Sequence, residues 1–534
     1  MNLRMPKKLS EGGATPLVPT VGAAGLSGRR DGAASPPQPV LAFARARRHK
    51  ARMISRYILD AFRAIAGPRG LIEDRDLIAP WLEDWRGKFH GNAVGILTPR
   101  STQEVAAMVR CANAHRVPLV PQGGNSSMVG GATPPIDGSA LILSLRAMNH
   151  IRSMDPDANI AVCEAGVILA TLHEAADRAG RRFPLSLGAK GSATVGGLVS
   201  TNAGGTQVLR HGTMRALVEG IEAVLPDGSI HDGIAALKKD NRGYDLKQLL
   251  IGAEGTLGIV TAASLRLAPA IADRAVAWVG IEGPEQALAL LRRMEALLGP
   301  VVEGFEVMAA DTLGFILSVI PGTRRPIETA TPWNALIEID LDGAADGPSA
   351  YERMEMALAD GFERGLLIDA AIGTSESQAE AFWKLRESAS EAERAQGPAL
   401  QFDVSVPIAD MPRFMIEVAA ASEARFPGTT ASSFGHLGDG NVHFHVRAPR
   451  GEGEGVGRHW LESTGEAATR FVNDQVVAYG GSISAEHGIG QMKIGEFARL
   501  TPPAQLNAVR AIKQALDPLG LFNPGKLVPL ASAD

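Results

Sequence analysis

Two short polar clusters in the C-terminal third of the chain combine residue types that can bind a divalent metal. The first is His436-Leu437-Gly438-Asp439-Gly440-Asn441-Val442-His443, and the second is Ser484-Ala485-Glu486-His487-Gly488. Together they offer two imidazoles and one carboxylate, which are common ligands of a divalent cation such as zinc. His487 stands next to the carboxylate and adds a candidate base. A metal with a base beside it can activate an alcohol.

The spacing of the two outer histidines in the first cluster requires a turn. Residues seven apart on a straight strand face opposite sides, so His436 and His443 could not share a metal there. The segment Gly438-Asp439-Gly440 is made of turn-forming residues and can bring the two imidazoles together. His445 lies on the same strand face as His443 and is a competing candidate ligand.

Length and composition limit the class of protein that positions these residues. A chain of 534 residues is expected to form two or more domains. Its content of 45% apolar and 21% charged residues is that of a globular protein. A net charge of −5, without interleaved basic and aromatic residues, argues against a nucleic-acid partner. No apolar run reaches the roughly 18 residues of a membrane span. We expect Cys111 and Cys163 to be reduced core residues, with a buried disulfide as the alternative.

Residues 1–52 differ in composition from the rest of the chain. They contain ten Lys and Arg residues against two acidic ones, Glu11 and Asp31. One interpretation is an organellar transit peptide, and the other is a disordered extension or an over-extended start before Met53. The Ala, Arg and Gly bias of the whole chain is typical of a high-GC bacterial genome. It favours the second interpretation and a bacterial cytoplasmic location, with a mitochondrial location as the alternative.

Three glycine-rich segments lie in the first half of the chain. The first glycine loop, residues 122–131, follows a predicted strand; the second glycine segment, residues 188–205, holds six glycines in eighteen positions. The third glycine segment, residues 252–260, repeats glycine every third residue before an apolar strand. Glycine lets the backbone approach a ligand closely, so that N–H groups can converge on a phosphate. The sequence has neither G-x-G-x-x-G nor G-x-x-x-x-G-K-[ST], so a phosphate cradle here belongs to another fold than the Rossmann or P-loop folds.

Hydrophobic periodicity predicts the elements that carry these segments. We expect helix over much of 53–84, and a strand–helix–strand passage over 93–121 in which Ser101 and Glu104 form a capping box. Beyond Pro269, longer amphipathic helices alternate with strands such as 334–342, which is typical of an α+β domain. The predicted long helices are 284–298, 350–364 and 375–395.

The chain resembles the FAD-binding domain of the vanillyl-alcohol-oxidase-type (PCMH-type) flavoproteins, and within them the D-2-hydroxyglutarate and D-lactate dehydrogenase branch. The resemblance runs from about residue 90 to the C-terminus and rests on the ordered glycine motifs, including Pro121–Gly131 and Thr201–Gly205. It implies non-covalent FAD, because Asn125-Ser126-Ser127 stands where relatives with covalent flavin often have a histidine. The residues that it implies for FAD binding are Gly123, Gly124, Asn125, Ser126, Met128, Gly188, Ser192, Gly197, Thr201, Asn202, Gly204, Glu254, Gly255, Ile259 and Asn523.

The same resemblance gives roles to the polar clusters. It implies that His436, His443 and Glu486 bind a divalent metal, usually zinc. His487 would take the hydroxyl proton of a 2-hydroxy acid while the C2 hydrogen leaves as hydride to the flavin N5. An alternative is that His487 only assists a hydroxide base.

Substrate contacts are implied for Arg386, Ser390, Gln401 and Asn441. An arginine suits a carboxylate because it can bind it bidentately. Arg386, Ser390 and Arg394 would share one helix stripe, although the resemblance does not support Arg394. The D-2-hydroxyglutarate enzymes have a lysine where this chain has Gln401, which weakens the argument for a dicarboxylate.

We therefore predict an α+β fold. The predicted boundaries are 1–52 for the extension, 53–89 for an N-terminal helical segment, 90–270 for the PCMH-type FAD domain, 271–495 for an α+β substrate and metal domain, and 496–534 for a C-terminal segment returning to FAD. The predicted activity is FAD-dependent oxidation of a D-2-hydroxy acid, first D-2-hydroxyglutarate, with D-lactate or another monoacid as the alternative. Electrons would leave to an electron-transfer flavoprotein, a quinone or a cytochrome. Rivals are a non-redox transferase of the alkyl-glycerone-phosphate synthase type and a zinc hydrolase. The oligomeric state stays open, with a homodimer as one option.

Overall fold

A computed structural model describes residues 54–343, 347–450 and 455–529. The prediction for residues 1–52 therefore lies outside the described residues. The described chain is a mixed helix and sheet structure with four sheets, as the predicted α+β class requires. Cys163 is buried and Cys111 is half-buried, and the two are not bonded to each other.

The first sheet has four strands and lies against the N-terminal helices. Its strands are β1 (Leu71–Ile72), β2 (Ile96–Leu97), β3 (Leu119–Gln122) and β4 (Leu141–Ser144), in the order β1-β2-β4-β3. The pairs β2/β4 and β3/β4 are parallel, and β1/β2 is antiparallel. The helices of this part are α1 (Arg56–Ala66), α2 (Arg75–Ile78) and α3 (Thr102–His115). Helix α1 ends early in the predicted helical segment because Gly67, at φ +70°, and Pro68 interrupt it.

The start of α3 follows the sequence prediction in part. Ser101 is the N-cap, and its hydroxyl accepts the backbone N–H of Glu104 at 3.2 Å. The reciprocal bond of a capping box is replaced by a different one, because the Glu104 carboxylate accepts from the backbone N–H of Arg100 at 2.8 Å.

The second sheet is antiparallel and has five strands in the order β5-β6-β10-β8-β9, with β7 and β11 pairing beside it. The strands are β5 (Ile151–Asp155), β6 (Ile160–Glu164), β7 (Arg181–Arg182), β8 (Val218–Val224), β9 (Ile230–Gly233), β10 (Ile259–Arg266) and β11 (Ala268–Pro269). The helices are α4 (Leu169–Arg178), α5 (Val195–Thr201), α6 (Val208–His211), α7 (Met214–Leu217) and α8 (Leu246–Leu250). All three glycine segments therefore lie in the part of the chain that forms the first and second sheets.

The third large sheet has seven antiparallel strands in the order β15-β12-β14-β13-β17-β18-β16. These are β12 (Ile271–Ile281), β13 (Val302–Ala309), β14 (Trp333–Asp342), β15 (Asp369–Ile372), β16 (Ala399–Ser405), β17 (Thr430–His436) and β18 (Asn441–Arg447). The helices that follow β12 along the chain are α9 (Pro284–Leu298), α10 (Ala310–Val319), α11 (Ala350–Glu363), α12 (Glu376–Glu387), α13 (Ala389–Ala395), α14 (Met411–Arg425), α15 (Val456–Ala478), α16 (Ile494–Leu500) and α17 (Pro503–Leu516), of which α17 packs on the core of the second sheet. None of the helices in the described residues is both long and apolar enough to span a membrane.

The two faces of this sheet carry different cores. One face packs against α9, α11 and α14 around residues such as Phe402 and Val404. The other face packs against α10, α12 and α13. Since side chains alternate along a strand, Gln401 and Asp403 face this second side, where the sheet presents polar groups. The candidate site is built there.

The predicted helix 375–395 is two helices in the structure. Helix α12 ends at Glu387, and α13 starts at Ala389 after a break at Ser388. Arg386 and Ser390 therefore do not lie on one continuous helix. Arg386 is buried, whereas Ser390 is exposed.

Candidate active site

The two histidines predicted as metal ligands meet across a β-hairpin. Strands β17 and β18 pair in a register that sets His436 opposite Asn441 and Phe434 opposite His443. Gly440 lies in the turn at φ +81°, a backbone conformation that is strained for residues other than glycine. The ring centroids of His436 and His443 are 5.5 Å apart. The turn predicted at Gly438–Gly440 thus brings the imidazoles together.

Glu486 completes the group from a loop that follows α15. Ligand atoms of His436, His443 and Glu486 lie within 4.8 Å of one another, and His436 Nε2 is 3.8 Å from Glu486 Oε1. Two imidazoles and one carboxylate at this spacing form a donor set that suits a cation such as zinc. Asp403, Glu486 and His487 form a second such group, which shares Glu486 with the first.

A buried carboxylate that sequence reasoning missed, Glu306, orients two of the predicted residues. It lies on β13 directly opposite His436. Its Oε1 is 2.5 Å from His436 Nδ1, and its Oε2 accepts Arg386 Nε at 2.7 Å. Such a carboxylate fixes the ring of a ligand histidine and leaves Nε2 free for a metal. The available signal was the presence of acidic residues, Glu303 and Glu306, within an otherwise apolar strand.

A second missed carboxylate, Asp403, holds the loop of Glu486. Its Oδ2 accepts the backbone N–H groups of Glu486 at 3.0 Å and His487 at 2.9 Å. It also lies 3.4 Å from His487 Nδ1 and 4.0 Å from His443 Nδ1. Its Oδ1 accepts from Asn441 Nδ2 at 2.9 Å. The polar alternation of β16, in which Gln401, Asp403 and Ser405 share one face, was the signal for this residue.

Burial and neighbouring charges shift the pKa values of the group strongly. Burial raises the pKa of Glu486 to about 7, against the attraction of His436. Burial would lower the pKa of His436, but the charge of Glu306 outweighs it and raises that pKa to about 9. Burial, with the charges of His436 and Arg386, lowers the pKa of His443. A carboxyl group has a raised pKa when too little positive charge lies near it. A cation bound between this carboxyl group and the uncharged imidazole would supply that charge.

The competing histidine, His445, belongs to a different cluster. Its Nδ1 lies 3.6 Å from Glu393 Oε2, on the α13 side of the sheet. Glu393 also pairs with Arg447 and accepts from Thr312 at 3.0 Å. His445 is absent from the groups whose ligand atoms converge among the described residues. The geometry therefore favours His443 over His445.

Two of the predicted substrate residues offer buried polar atoms without a partner. Arg386 Nη2 and Asn441 Oδ1 are buried and make no hydrogen bond within the described chain. The Arg386 guanidinium also lies 5.0 Å from the Phe434 ring centroid, next to His443. Gln401 faces the site from β16, opposite His445. Buried polar atoms are normally satisfied, so these two point to a bound polar ligand.

The predicted cofactor residues fall on four segments of the chain. We call these segments, together with the first and second sheets, the FAD half. The first glycine loop leaves β3 with Gly123, Gly124, Asn125, Ser126 and Met128; the second segment, which includes α5, carries Gly188, Ser192, Gly197, Thr201, Asn202 and Gly204; the third, before and at the start of β10, carries Glu254, Gly255 and Ile259; Asn523 follows α17.

The first two glycine segments touch at backbone distance. A Cβ on Gly124 would stand 1.8 Å from the Ser192 carbonyl oxygen, and one on Gly123 would stand 2.2 Å from Thr194 Oγ1. Thr194 Oγ1 is itself buried without a hydrogen-bond partner in the described residues. Only glycine fits such a contact, and the N-terminus of α5 lies beside it. This close-packed backbone, with an unpaired hydroxyl, fits the cradle of an anionic cofactor.

Glu254 and Asn523 tie the FAD half to the loop of Glu486. The Glu254 carboxylate accepts the backbone N–H groups of Ile489 at 2.7 Å and Gly490 at 2.8 Å. Asn523 Nδ2 donates to the Glu254 carbonyl at 2.7 Å and to the Gly131 carbonyl at 2.9 Å. These contacts fix the loop of Glu486 against the glycine segments.

The two halves of the site are close. A Cβ on Gly204 would stand 3.6 Å from Glu486 Oε1. One of the predicted FAD residues therefore lies next to a predicted metal ligand. Such an arrangement can hold an alcohol between a metal and a redox cofactor.

Comparisons with known proteins match most of the chain. Residues 93–233 match the family described as "FAD binding domain", and residues 271–527 match the family described as "FAD linked oxidases, C-terminal domain". The mitochondrial D-2-hydroxyglutarate dehydrogenase of Arabidopsis thaliana is 34% identical over 88% of this chain and 81% of its own length. The mitochondrial D-2-hydroxyglutarate dehydrogenase of Bos taurus is 36% identical over 86% and 82%. The structure of p-cresol methylhydroxylase with substrate bound has a TM-score of 0.68 at 17% identity, over 88% of this chain and 96% of its own.

These matches confirm the predicted resemblance and correct the predicted location. The bacterial cytoplasmic location is contradicted, because relatives that match most of the chain are named as mitochondrial proteins. The high-GC composition that suggested a bacterial source carries no information about the compartment.

Proposed function

Because this chain belongs to the family of FAD-linked oxidases that includes the D-2-hydroxyglutarate dehydrogenases, we propose that it oxidises a D-2-hydroxy acid to the 2-oxo acid with FAD as the electron acceptor. D-2-hydroxyglutarate is the first candidate substrate. The alternative is D-lactate or another 2-hydroxy monoacid. The observation that carries the proposal is the convergence of His436, His443 and Glu486 beside the glycine segment at Gly204.

His436, His443 and Glu486 are the residues that would hold a divalent metal, for which zinc is our proposal. When bound, such a cation supplies Lewis acidity that lowers the pKa of a coordinated hydroxyl group. Glu306 keeps the His436 ring in the orientation that presents Nε2. Three protein ligands would leave a coordination position of the metal open to a substrate.

His487 is our proposed general base. Burial lowers its pKa, although the charge of Asp403 opposes this, and the lowered pKa favours the neutral ring. Asp403 lies 3.4 Å from Nδ1, which favours the proton on Nδ1 and leaves Nε2 as the proton acceptor. A neutral, oriented imidazole is suited to take the proton of a 2-hydroxyl group.

Arg386 and Asn441 are our proposed contacts to the substrate carboxylate and hydroxyl. Glu306 fixes Arg386 through Nε and leaves the buried Nη2 without a partner, which suits a carboxylate oxygen. Asp403 likewise fixes Asn441 through Nδ2 and leaves Oδ1 available. Ser390 and Gln401 are further proposed contacts on α13 and β16.

The glycine segments and Asn523 would hold FAD. FAD, when bound, supplies the acceptor for the C2 hydride and so makes the alcohol oxidation a redox reaction. Asn125 stands in the first glycine loop, in line with non-covalent binding. Electron-transfer flavoprotein, a quinone or a cytochrome are our proposed final acceptors.

Anaerobic reduction of the bound flavin tests the proposal. Adding D-2-hydroxyglutarate or D-lactate to the purified yellow protein without oxygen should bleach the oxidised flavin absorbance, while the L-enantiomers should not. A panel of D-2-hydroxy acids then ranks the substrates. No bleaching with any of them would overturn the redox function and favour a transferase, and a colourless protein would favour a zinc hydrolase.

A further inference from the structure

Helix α6 lies between the second glycine segment and the hairpin of β17 and β18. A Cβ on Gly204 would stand 3.1 Å from Val208 Cγ2, at the start of α6. Leu209, the next residue of α6, packs on the turn of the hairpin, where a Cβ on Gly438 would meet Leu209 Cδ1 at 2.6 Å. The position of α6 therefore decides how close the predicted FAD residue Gly204 lies to the hairpin that carries the histidines.

Ion pairs to the seven-stranded sheet hold α6 in place. A helix of four residues is not stable by itself in water, so it depends on contacts outside the helix. Arg210 Nη1 donates to Glu303 Oε2 at 3.0 Å, and Arg210 Nη2 pairs with Asp342. Arg182 on β7 pairs with the same two carboxylates and lies 3.1 Å from Asp342 Oδ1. We call Arg182, Arg210, Glu303 and Asp342 the α6 clamp.

Glu303 is the centre of the α6 clamp. It is buried on β13 and accepts from both arginines, and His211 Nε2 lies 3.4 Å from its Oε2. Burial would raise the pKa of Glu303, but hydrogen bonds from His211 and Arg182 outweigh burial and lower that pKa to about 2. Glu303 is therefore ionised at neutral pH, and the clamp keeps its charge there.

A neighbouring carboxyl group, Asp340, adds little charge to the clamp. Burial and the charges of Glu338 and Glu303 raise the pKa of Asp340 to about 8, so it is mostly protonated at neutral pH. The negative charge that faces the two arginines comes from Glu303 and Asp342.

Each ion pair of the α6 clamp joins two parts of the chain that carry different parts of the site. The arginines belong to the part that forms the first and second sheets, whereas the carboxylates lie on β13 and β14 of the seven-stranded sheet. Glu303 is on the same strand as Glu306, which orients His436. Water and salt screen buried ion pairs little, and removing one partner leaves the other charges buried and unpaired. The clamp thus fixes one placement of α6 against the sheet.

We propose that Glu303 is a positioning residue that acts through Arg210 and α6 to set the separation between Gly204 and the hairpin of β17 and β18. The inference rests on the proposed function, because it concerns the distance across the same site. Among the described residues, the Glu303 carboxylate contacts Arg182, Arg210 and His211, none of which is a predicted ligand of FAD or of the metal. Rates depend steeply on such a separation, since a misplacement of about 1 Å can cost roughly 100-fold.

Glu303→Gln tests the proposal, because it removes the charge and keeps the size of the side chain. We expect the limiting rate of anaerobic flavin reduction to fall by roughly 10- to 100-fold, using the D-2-hydroxy acid that reduces the wild-type flavin fastest. The half-saturating substrate concentration should change little, because the proposed substrate contacts are intact. FAD affinity and metal content should stay as in the wild type. The visible circular dichroism of the bound flavin should change, because it reports the surroundings of the isoalloxazine ring.

A double-mutant cycle tests whether Glu303 acts through Arg210. Arg210→Met alone should lower the same rate by a similar factor, and adding Glu303→Gln to it should cost less than roughly 2-fold more. Arg210→Lys should recover part of the rate. Losses that multiply would overturn the inference. If Glu303→Gln yields no folded protein, Asp342→Asn takes its place, since Asp342 is the more exposed carboxylate of the clamp; a rate equal to that of the wild type would then overturn the inference.

Glu417→Gln is the matched control, since the exposed Glu417 pairs with Arg413 within α14. It should leave the rate and the dichroism as in the wild type. An unchanged rate in Glu303→Gln, with the wild-type flavin reduced normally, overturns the inference and leaves the proposed function intact. Loss of FAD or metal from Glu303→Gln also overturns it, because the residue would then support ligand binding. If no D-2-hydroxy acid reduces the wild-type flavin, the proposed function falls, and an unchanged flavin dichroism in Glu303→Gln would overturn this inference separately.

Discussion

The FAD half and the seven-stranded sheet build their parts of the site from different chemistry. In the glycine segments the fit is made by the backbone, as at Gly124, where even a methyl group would meet a carbonyl oxygen at 1.8 Å. On the sheet the fit is made by side chains, which β13, β16, β17 and β18 bring to one face. Substitutions in the first half should therefore act on cofactor retention, and those in the second on chemistry with the cofactor still bound.

The largest effect should come from a ligand on the sheet side. Glu486→Gln keeps the size of the side chain but removes the charge that a divalent metal requires. We expect turnover to fall by at least roughly 1000-fold, because a bound cation contributes several kcal/mol to transition-state stabilisation. Metal content should fall while the flavin spectrum stays that of the wild type. Both are measured on the same sample, by elemental analysis and absorbance.

Glu462→Gln is the control for this variant, since Glu462 is exposed on α15. It should retain metal, flavin and turnover. If Glu486→Gln lost flavin as well as metal, the two halves would not be separable in the way that we propose. Full activity of Glu486→Gln would remove this residue from the ligand set.

The next effect concerns the proposed base on the same side. His487→Gln should lower kcat by roughly 100-fold or more, as expected for a general base, with metal and flavin retained. In the wild type the base works when neutral, so kcat/KM should fall as pH drops through the pKa of His487. Burial lowers that pKa below the ordinary 6.5, which places the acid limb below about pH 6.5. A pH profile of both proteins checks this; an acid limb kept in His487→Gln would assign it to another group.

The difference between the FAD half and the seven-stranded sheet also decides which parts of the site could be predicted from the sequence. The glycine segments depend on the local order of residues, so a motif is enough to single out positions such as Gly124 and Asn125. The hairpin that joins His436 and His443 was also predictable, because its turn lies within the motif. Glu306 and Asp403 were not predicted, since strand pairing alone puts them opposite the two histidines.

The predicted helices were wrong where local breaks and tertiary packing end a helix that the sequence pattern would continue. Helix 375–395 has one continuous periodicity, but the chain breaks at Ser388 so that α12 and α13 can both pack on the sheet. Residues 53–84 have a helical pattern, although Gly67 and Pro68 end α1. The bridge between Glu83 and His90 was not predicted either, because neither periodicity nor a motif in the sequence indicates that these two residues pair.

A smaller effect is expected when the backbone fit of the FAD half is disturbed. Gly124→Ala forces the first glycine loop away from Ser192, which should cost about 2–3 kcal/mol and weaken FAD binding roughly 100-fold. Activity should return when excess FAD is added, unlike in Glu486→Gln. Flavin content after gel filtration and an FAD titration measure this. Gly314→Ala, in open space on α10, should bind FAD as the wild type does; equal FAD affinity in Gly124→Ala would contradict the cradle.

The smallest effect should come from Gln401, which faces the site without belonging to the metal group. Gln401→Lys adds a cation on the active face of β16, two residues from Asp403. A partly solvated charge there should raise the preference for D-2-hydroxyglutarate over D-lactate only a few-fold, of the order of 1 kcal/mol. The ratio of kcat/KM for the two acids measures it. An unchanged ratio would show that position 401 does not determine specificity.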